Sequence, residues 1–238
     1  MHSQQKKARE KNHLTQMNVG GSSREKDFAV ATSSLTTNEH INRDEHHVYF
    51  CSPITPSSAF TLINLLRAAE TDIMEGVKKA KESMKDVNKY VTITCEPKAI
   101  VLSLTTAGGN ISSAFAVVDV IRSLEVPVHT VITGYVASAG TLISLAGHRR
   151  FMHRNATALI HELRGSNWGK FTELRDNYEN LQKMMDNIVT YYTDNTKLTR
   201  EELTALMAHD KDWSPAECIA NGVVDEVVQP KRTRTASA

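Results

Sequence analysis

The segment Gly134-Tyr-Val-Ala-Ser-Ala-Gly140 joins a predicted strand to a predicted helix and places one hydroxyl group among small residues. Before it, residues 128–133 alternate and are rich in β-branched side chains, which predicts a strand. After it, residues 141–146 are apolar enough for a short buried helix. Small neighbours would let a carbonyl group approach Ser138, and the first amides of the helix would face any negative charge developing there. The segment predicts a nucleophile site, although a serine in this position is more often a helix N-cap.

This segment is not the nucleophile elbow of α/β-hydrolases. That motif, G-x-S-x-G, needs a glycine two residues before the serine, and Val136 stands there. Strand and helix signals nevertheless alternate on both sides of Ser138, with Gly108-Gly109 at an earlier strand-to-helix turn. Such alternation predicts an α/β fold of right-handed βαβ units around a parallel sheet. The predicted strands are 47–51, 90–95, 99–104, 128–133, 150–153 and 157–162, and the predicted helices are 55–70, 72–87, 112–124, 141–146 and 170–194.

Composition excludes several classes of protein. The chain has 238 residues, 40% of them hydrophobic, which suffices for one domain with a sizeable core. Its 28 basic and 27 acidic side chains give a net charge of +1, so no nucleic-acid partner is expected. No run of about 18 apolar residues is present, so no membrane partner is expected either. Three cysteines without a C-x-x-C pair indicate a reducing compartment, and a cytoplasmic location is expected.

The chain divides into three parts by composition. Residues 1–45 are polar with almost no periodic apolar pattern, which predicts a disordered N-terminal arm. Residues 46–228 form the predicted folded domain, within which 71–98 have the character of an insertion. Residues 229–238 form a short basic tail.

A serine nucleophile needs a base and an acid that orients it. Among ten histidines, His161 stands out because it ends the apolar strand at 158–160, where the carboxyl edge of a parallel sheet would present it beside Ser138. A lone histidine on a strand is usually a satisfied structural group, so its position alone does not establish a role. Spacing does not choose the acid, for which the downstream candidates are Asp186, Asp194, Asp210, Asp212 and Asp225.

Four segments, taken in order, resemble the motifs of the Clp protease proteolytic subunit. They are Thr105-Thr-Ala-Gly-Gly109, residues 134–140, residues 155–161, and the segment from Asp210 to Asp225. The resemblance covers about His47 to Val228, apart from the part near 71–98. It implies a ClpP/crotonase-like fold with a long handle helix and a serine endopeptidase activity.

The resemblance also implies the role of each site residue. Ser138 would be the nucleophile, His161 the base and Asp210 the acid, with Asp212 as the acid if the register is two positions off. The amides of Gly109 and Ala139 would form the oxyanion hole. No metal or organic cofactor is implied. The expected partners are copies of the same chain in heptameric or similar rings stacked in pairs, unfolded polypeptide substrates, and an AAA+ ATPase unfoldase.

Some family features are absent from the sequence. No axial-loop segment is recognisable before His47, which weakens the expectation of an unfoldase, and His161-Glu-Leu replaces the common H-Q-P. This divergence suggests an organellar, plasmid or viral relative. Three alternatives stay open: a viral capsid-maturation protease on the same fold, a catalytically inactive structural subunit, and a crotonase-type acyl-CoA enzyme whose two amides stabilise an enolate.

Overall fold

A computed structural model describes residues 40–84 and 96–229. Within these ranges the chain forms one eight-stranded mixed sheet and six helices. No helix in the described ranges is long and apolar enough to cross a membrane. The strands are β1 (Ile41–Asp44), β2 (His47–Cys51), β3 (Ile100–Thr106), β4 (Val128–Ala137), β5 (Arg149–His153), β6 (Thr157–Leu159), β7 (Asp212–Trp213) and β8 (Glu226–Val228). The helices are α1 (Pro56–Ser83), α2 (Ile111–Ser123), α3 (Ala139–Leu145), α4 (Phe171–Asn195), α5 (Arg200–Met207) and α6 (Pro215–Ala220).

The sheet confirms the predicted βαβ organisation. Strands β2, β3, β4, β5 and β8 are parallel neighbours in that order, while β1 pairs antiparallel with β2 at the edge. Helices α1 and α2 are the crossovers between β2, β3 and β4, as parallel pairing requires. Every second residue of β3 is fully buried, which places a strong hydrophobic core against one face of the sheet.

Strand β4 pairs with two different strands along its length, and the second pairing positions the candidate site. Its first half pairs with β5 over 129–132, whereas its last residues pair with β6 over 135–137. The two partners therefore diverge along β4. Strand β6 runs parallel to the end of β4, so the residues that follow both strands leave the same edge of the sheet.

Helix α1 differs from the prediction. Thr55 and Pro56 start it as expected, with a capping box between Thr55 and Ser58. The predicted break near Glu70 is wrong, because residues 56–83 form one continuous helix and the only glycine in that range, Gly76, is tolerated in the exposed second half. The first part of the predicted insertion, residues 71–83, is therefore an extension of α1. The strand predicted at 90–95 lies outside the described residues.

The predicted N-terminal arm ends earlier than residue 45. Residues 41–44 form β1, which pairs antiparallel with β2 and buries Ile41. Glu45 makes the connecting turn with a φ of 50°. The sequence does not reveal β1, because Ile41 is its one buried side chain and the surrounding residues are polar. The rest of the arm, and the tail after residue 229, lie outside the described residues.

The predicted long helix is present as α4. Its apolar face is buried only toward the C-terminal end, where Ile188, Val189, Tyr191 and Tyr192 lie in the core. Leu174, which the helical spacing places on the same face, is 39% exposed. The N-terminal half of α4 therefore extends away from the core of the described chain.

Candidate active site

Ser138 occupies the turn from β4 into α3 and has an unusual backbone conformation. Its φ is 54° and its ψ is −127°, a region that non-glycine residues rarely adopt and that costs about 1–3 kcal/mol. Although Ser138 is at the N-cap position of α3, its side chain makes no capping hydrogen bond within the described structure. The residue is only partly buried. Its hydroxyl is therefore displayed at the helix N-terminus and does not serve as a cap.

Hydrogen bonds on both sides hold the Ser138 backbone in this conformation. The Ser138 amide donates to the Leu159 carbonyl oxygen at 2.8 Å, which continues the pairing of β4 with β6. The Ser138 carbonyl oxygen accepts from the Thr141 amide at 3.0 Å and from Thr141 Oγ1 at 2.6 Å. Neighbouring main chain and one hydroxyl group thus offset the strain.

His161 leaves the same edge of the sheet as Ser138. Ala137 pairs with Leu159 on neighbouring strands about 4.8 Å apart, and His161 lies two residues beyond the end of β6. The imidazole is 9% exposed, and its Nδ1 lies 2.6 Å from the Glu162 carbonyl oxygen. Because a carbonyl oxygen only accepts, Nδ1 carries the proton in this contact, and in a neutral imidazole Nε2 then keeps its lone pair. This tautomer is the one that a general base requires.

Strand pairing aligns the position of Asp210 with His161, but the carboxylate of Asp210 is bonded to Arg164. Strand β7 pairs antiparallel with β6, with Leu159 opposite Asp212, so the same register continued by two residues would place Asp210 opposite His161. The carboxylate of Asp210 is instead hydrogen-bonded to Arg164 in an ion pair whose side chains are about 40% exposed. The structure brings Ser138 and His161 to one edge, whereas the carboxylate of Asp210 contacts Arg164.

A glycine turn lies directly against Ser138. At Gly108, where φ is 94°, an added Cβ would lie 2.7 Å from Ser138 Cβ and 3.1 Å from the Ala139 amide nitrogen. The turn is clamped to Ile54, whose amide donates to the Gly108 carbonyl and whose carbonyl accepts from Asn110, both at 2.8 Å. Only glycine lets the chain approach this closely, and the approach brings the Gly108-Gly109 turn to the N-terminal end of α3.

Two tyrosines from α4 reach α3 beneath the site. The Tyr192 hydroxyl is hydrogen-bonded to Thr141 Oγ1, and the Tyr191 hydroxyl donates to the Leu142 carbonyl oxygen at 3.0 Å. Burial raises the pKa of Tyr191 to about 12 and that of Tyr192 further still, so both phenols stay protonated at neutral pH. Sequence inspection missed this layer, since α4 carried only a helical pattern; the position of Thr141, three residues after Ser138, was the one local signal available.

Among the described side chains, no group of three or more His, Cys, Asp or Glu residues is arranged to hold a metal ion. Two free cysteines are described, Cys51 on the surface and Cys218 in the core. Burial raises the pKa of the Cys218 thiol to about 12, which keeps it protonated and chemically inert at neutral pH.

Comparisons with known proteins agree with this architecture. A family model described as Clp protease matches residues 57–231. The chain is 28% identical over 189 residues to ATP-dependent Clp protease proteolytic subunit 1 of Chlamydia muridarum, covering 78% of this chain and 87% of that protein. It is 33% identical over 153 residues to the ATP-dependent Clp protease proteolytic subunit of Streptococcus gordonii, covering 63% and 71%. A solved structure of a ClpP1 mutant from Listeria monocytogenes superposes with a TM-score of 0.63 at 21% identity, covering 79% and 94%, which confirms the expected fold.

Proposed function

This chain belongs to the Clp protease family and is a peptidase of that type, and we propose that it is a serine endopeptidase with Ser138, His161 and Asp210 as its catalytic triad. The observation that carries the proposal is the conformation of Ser138. A strained, partly exposed serine at a helix N-terminus whose side chain makes no capping hydrogen bond supports a role other than capping. Strain of this kind is typical of nucleophiles.

The proposed reaction follows from the residues at the sheet edge. Ser138 Oγ attacks the carbonyl carbon of a peptide bond while Nε2 of His161 takes the hydroxyl proton. His161 then returns that proton to the leaving amine, and water repeats the sequence to release the acyl group. The Nδ1 proton held by the Glu162 carbonyl supports this role, because it leaves Nε2 as the proton acceptor.

The amides of Gly109 and Ala139 are the proposed oxyanion hole. Their proposed role is supported by the close approach of the glycine turn to the Ala139 amide and by the position of Ala139 in the first turn of α3, where amides lack intrahelical acceptors. Two such donors stabilise the negative charge of the tetrahedral intermediate, and loss of one typically costs about 10²–10³ in turnover.

Asp210 requires a rearrangement to act in the triad. We propose that its carboxylate exchanges Arg164 for Nδ1 of His161 when the enzyme is active. The exchange breaks an ion pair with both side chains about 40% exposed, which contributes only about 0–1 kcal/mol. It also moves the Nδ1 proton of His161 from the Glu162 carbonyl to the Asp210 carboxylate, so one hydrogen bond replaces another. The register of β6 and β7 supports the proposal, because its continuation aligns position 210 with position 161.

Ring assembly is proposed from the exposed half of α4 together with the family. Four large apolar side chains on this helix and just before it are exposed to solvent: Trp168 (97% exposed), Phe171 (80%), Leu174 (39%) and Tyr178 (61%). A second copy of the chain would bury them. Stacked rings would enclose the active sites and admit unfolded polypeptides. The names of both relatives include "ATP-dependent", which supports a separate ATP-driven unfoldase as a partner.

Labelling with a fluorophosphonate probe tests the proposal. The full-length chain is expected to form one covalent adduct on Ser138, located by peptide mapping, and Ser138→Ala is expected to form none. Ser112→Ala is the matched control, because Ser112 is an exposed serine in the first turn of α2. Equal labelling of wild type and Ser138→Ala would eliminate the nucleophile. An unlabelled wild type without peptidase activity would favour the inactive structural subunit.

A further inference from the structure

A chain of three hydrogen-bonded groups runs from the long helix to the nucleophile. Thr141 Oγ1 contacts both the Ser138 carbonyl oxygen, at 2.6 Å, and the hydroxyl of Tyr192. The carbonyl oxygen only accepts, so the single hydroxyl proton of Thr141 is donated to it. Tyr192 must then be the donor to Thr141. The direction is fixed as Tyr192 O–H to Thr141 O–H to the Ser138 carbonyl.

The carbonyl at the end of this chain belongs to the peptide unit whose N–H is the Ala139 amide. A peptide unit is planar, with its C=O and N–H pointing in opposite directions. Holding the Ser138 oxygen therefore sets the direction of the Ala139 N–H, which is the proposed oxyanion donor. Hydrogen bonds to the oxygen also polarise the peptide unit and strengthen the N–H as a donor.

We propose that Tyr192 and Thr141 are positioning residues that orient and polarise the oxyanion peptide between Ser138 and Ala139. This inference rests on the proposed function and names residues that neither the motifs nor the family comparison assign. Tyr192 belongs to α4, so the helix proposed to join copies of the chain is linked through Thr141 to the turn that carries Ser138.

Burial makes the link a rigid one. Thr141 is fully buried and Tyr192 is 2% exposed, so water does not compete for their hydroxyl groups. Burial also raises the pKa of Tyr192, which keeps the phenol a neutral donor across the working pH range. Because φ at Ser138 is positive and strained, the peptide unit between Ser138 and Ala139 would lose strain by rotating. The hydrogen bond from Thr141 to the Ser138 carbonyl opposes that rotation.

The adjacent tyrosine provides a matched control. Tyr191 and Tyr192 both lie on α4, both are buried, and each uses its hydroxyl to bond α3. Only Tyr192 connects through Thr141 to the Ser138 carbonyl, since Tyr191 bonds the Leu142 carbonyl. Tyr192→Phe and Tyr191→Phe each remove one buried hydroxyl and keep the aromatic ring, and Tyr191→Phe also removes the hydroxyl contact with Arg122.

The experiment measures kcat and KM on a fluorogenic peptide and the rate of fluorophosphonate labelling for both variants. Tyr192→Phe is expected to lower kcat and the labelling rate about tenfold, a fraction of the loss of a whole oxyanion donor, with KM changed less than about twofold. Tyr191→Phe is expected to lower the melting temperature by a similar amount while kcat stays within about twofold of wild type. A kcat unchanged from wild type in both variants, or an equal loss of kcat in both, would overturn the inference.

Thr141 repeats the test within α3 and covers the case in which Tyr192→Phe does not fold. Thr141→Ser keeps the hydroxyl and is expected to retain wild-type kcat within about twofold, whereas Thr141→Val is expected to lose about tenfold. Equal rates for the serine and valine variants would overturn the inference. The proposed function fails separately: a wild type that is not labelled at Ser138 removes the nucleophile, whereas normal labelling with unaffected variants removes only the positioning role.

Discussion

The nucleophile side and the acid side of the candidate site are held by different kinds of bond. Ser138 and His161 follow β4 and β6, whose pairing continues into the hydrogen bond from the Ser138 amide to Leu159. Asp210 lies two residues before the start of β7 and is held by an exposed ion pair with Arg164. Main-chain pairing fixes the first two positions regardless of side chains. An exposed ion pair is worth so little that the acid position is open to exchange.

The largest effect is expected on the main-chain side. His161→Ala should lower kcat by about 10³-fold or more, because it removes the proposed general base from a serine that stays in place. Steady-state cleavage of a fluorogenic peptide measures the loss. His153→Ala, at the exposed end of β5, is the matched control and should retain full activity. Comparable losses in the two histidine variants would remove the distinction between His161 and a surface histidine.

Gly108→Ala tests the close approach of the glycine turn. Its Cβ would lie 2.7 Å from both the Ala137 carbonyl oxygen and Ser138 Cβ, and φ at this position is 94°. The turn must move away from α3, so we expect kcat to fall about 10²-fold, as for loss of an oxyanion donor. Gly76→Ala is the control, with nothing within 4 Å, and should stabilise α1 by about 1 kcal/mol. Unchanged kcat in Gly108→Ala would mean that the turn plays no part in catalysis.

Asp210→Asn should have a smaller effect than loss of the histidine. A triad whose acid alone fixes the histidine tautomer loses about 10⁴ in kcat. Here the Glu162 carbonyl already accepts the Nδ1 proton, so we expect a loss of about 10²-fold, measured with the same peptide. Asp212→Asn, two residues away on β7, should stay within about twofold of wild type. The reverse order would transfer the acid role to Asp212.

Arg164→Gln tests the exchange directly. Removing the guanidinium frees the Asp210 carboxylate for His161, so kcat should rise by at most about fivefold, the equivalent of about 1 kcal/mol for an exposed pair. Arg175→Gln, which breaks a more exposed contact to Asp176, should change nothing. A decrease in kcat in Arg164→Gln alone would show that Arg164 supports the active arrangement and does not compete with it.

The smallest effect concerns a second aspartate–arginine pair, Asp225 with Arg150, which joins β5 to the segment before β8. Burial alone would raise the pKa of Asp225, but hydrogen bonds from the Arg150 side chain and amide lower it overall. Asp225→Asn should lower the free energy of unfolding by about 1 kcal/mol at pH 7. Glu226→Gln, at a more exposed pair, should have almost no effect.

The sign of the pH dependence follows from the lowered pKa of Asp225. The carboxylate stabilises the folded state above the unfolded pKa of about 3.9, and this contribution disappears as pH falls through the lowered folded value. Urea unfolding of wild type and Asp225→Asn should therefore differ at pH 7 and converge in acid. A constant difference between the two midpoints would contradict the assignment.

Local signals in the sequence predicted the order of elements well as far as α4 and their extents less well, and α5, β7, α6 and β8 have no counterpart among the elements predicted from local patterns. The capping pair Thr55-Pro56 predicted the start of α1, and the periodic segment at 170–194 predicted α4. The predicted end of α1 near Glu70 was wrong, because no strong helix breaker lies there. Strand β1 was missed because one buried isoleucine in a polar segment carries little signal. Boundaries depend on contacts with distant parts of the chain, which local patterns do not contain.

The side chains available at the sheet edge follow from sequence patterns alone, since Ser138 and His161 each come after a recognisable strand and parallel strands end at one edge. Three other features depend on packing between distant segments: Ser138 adopts a positive φ without capping α3, Tyr192 is linked to the Ser138 carbonyl through Thr141, and Arg164 binds Asp210. These features join residues many positions apart. Their geometry depends on how α4, β6 and β7 pack together, and no local pattern of side chains specifies that packing.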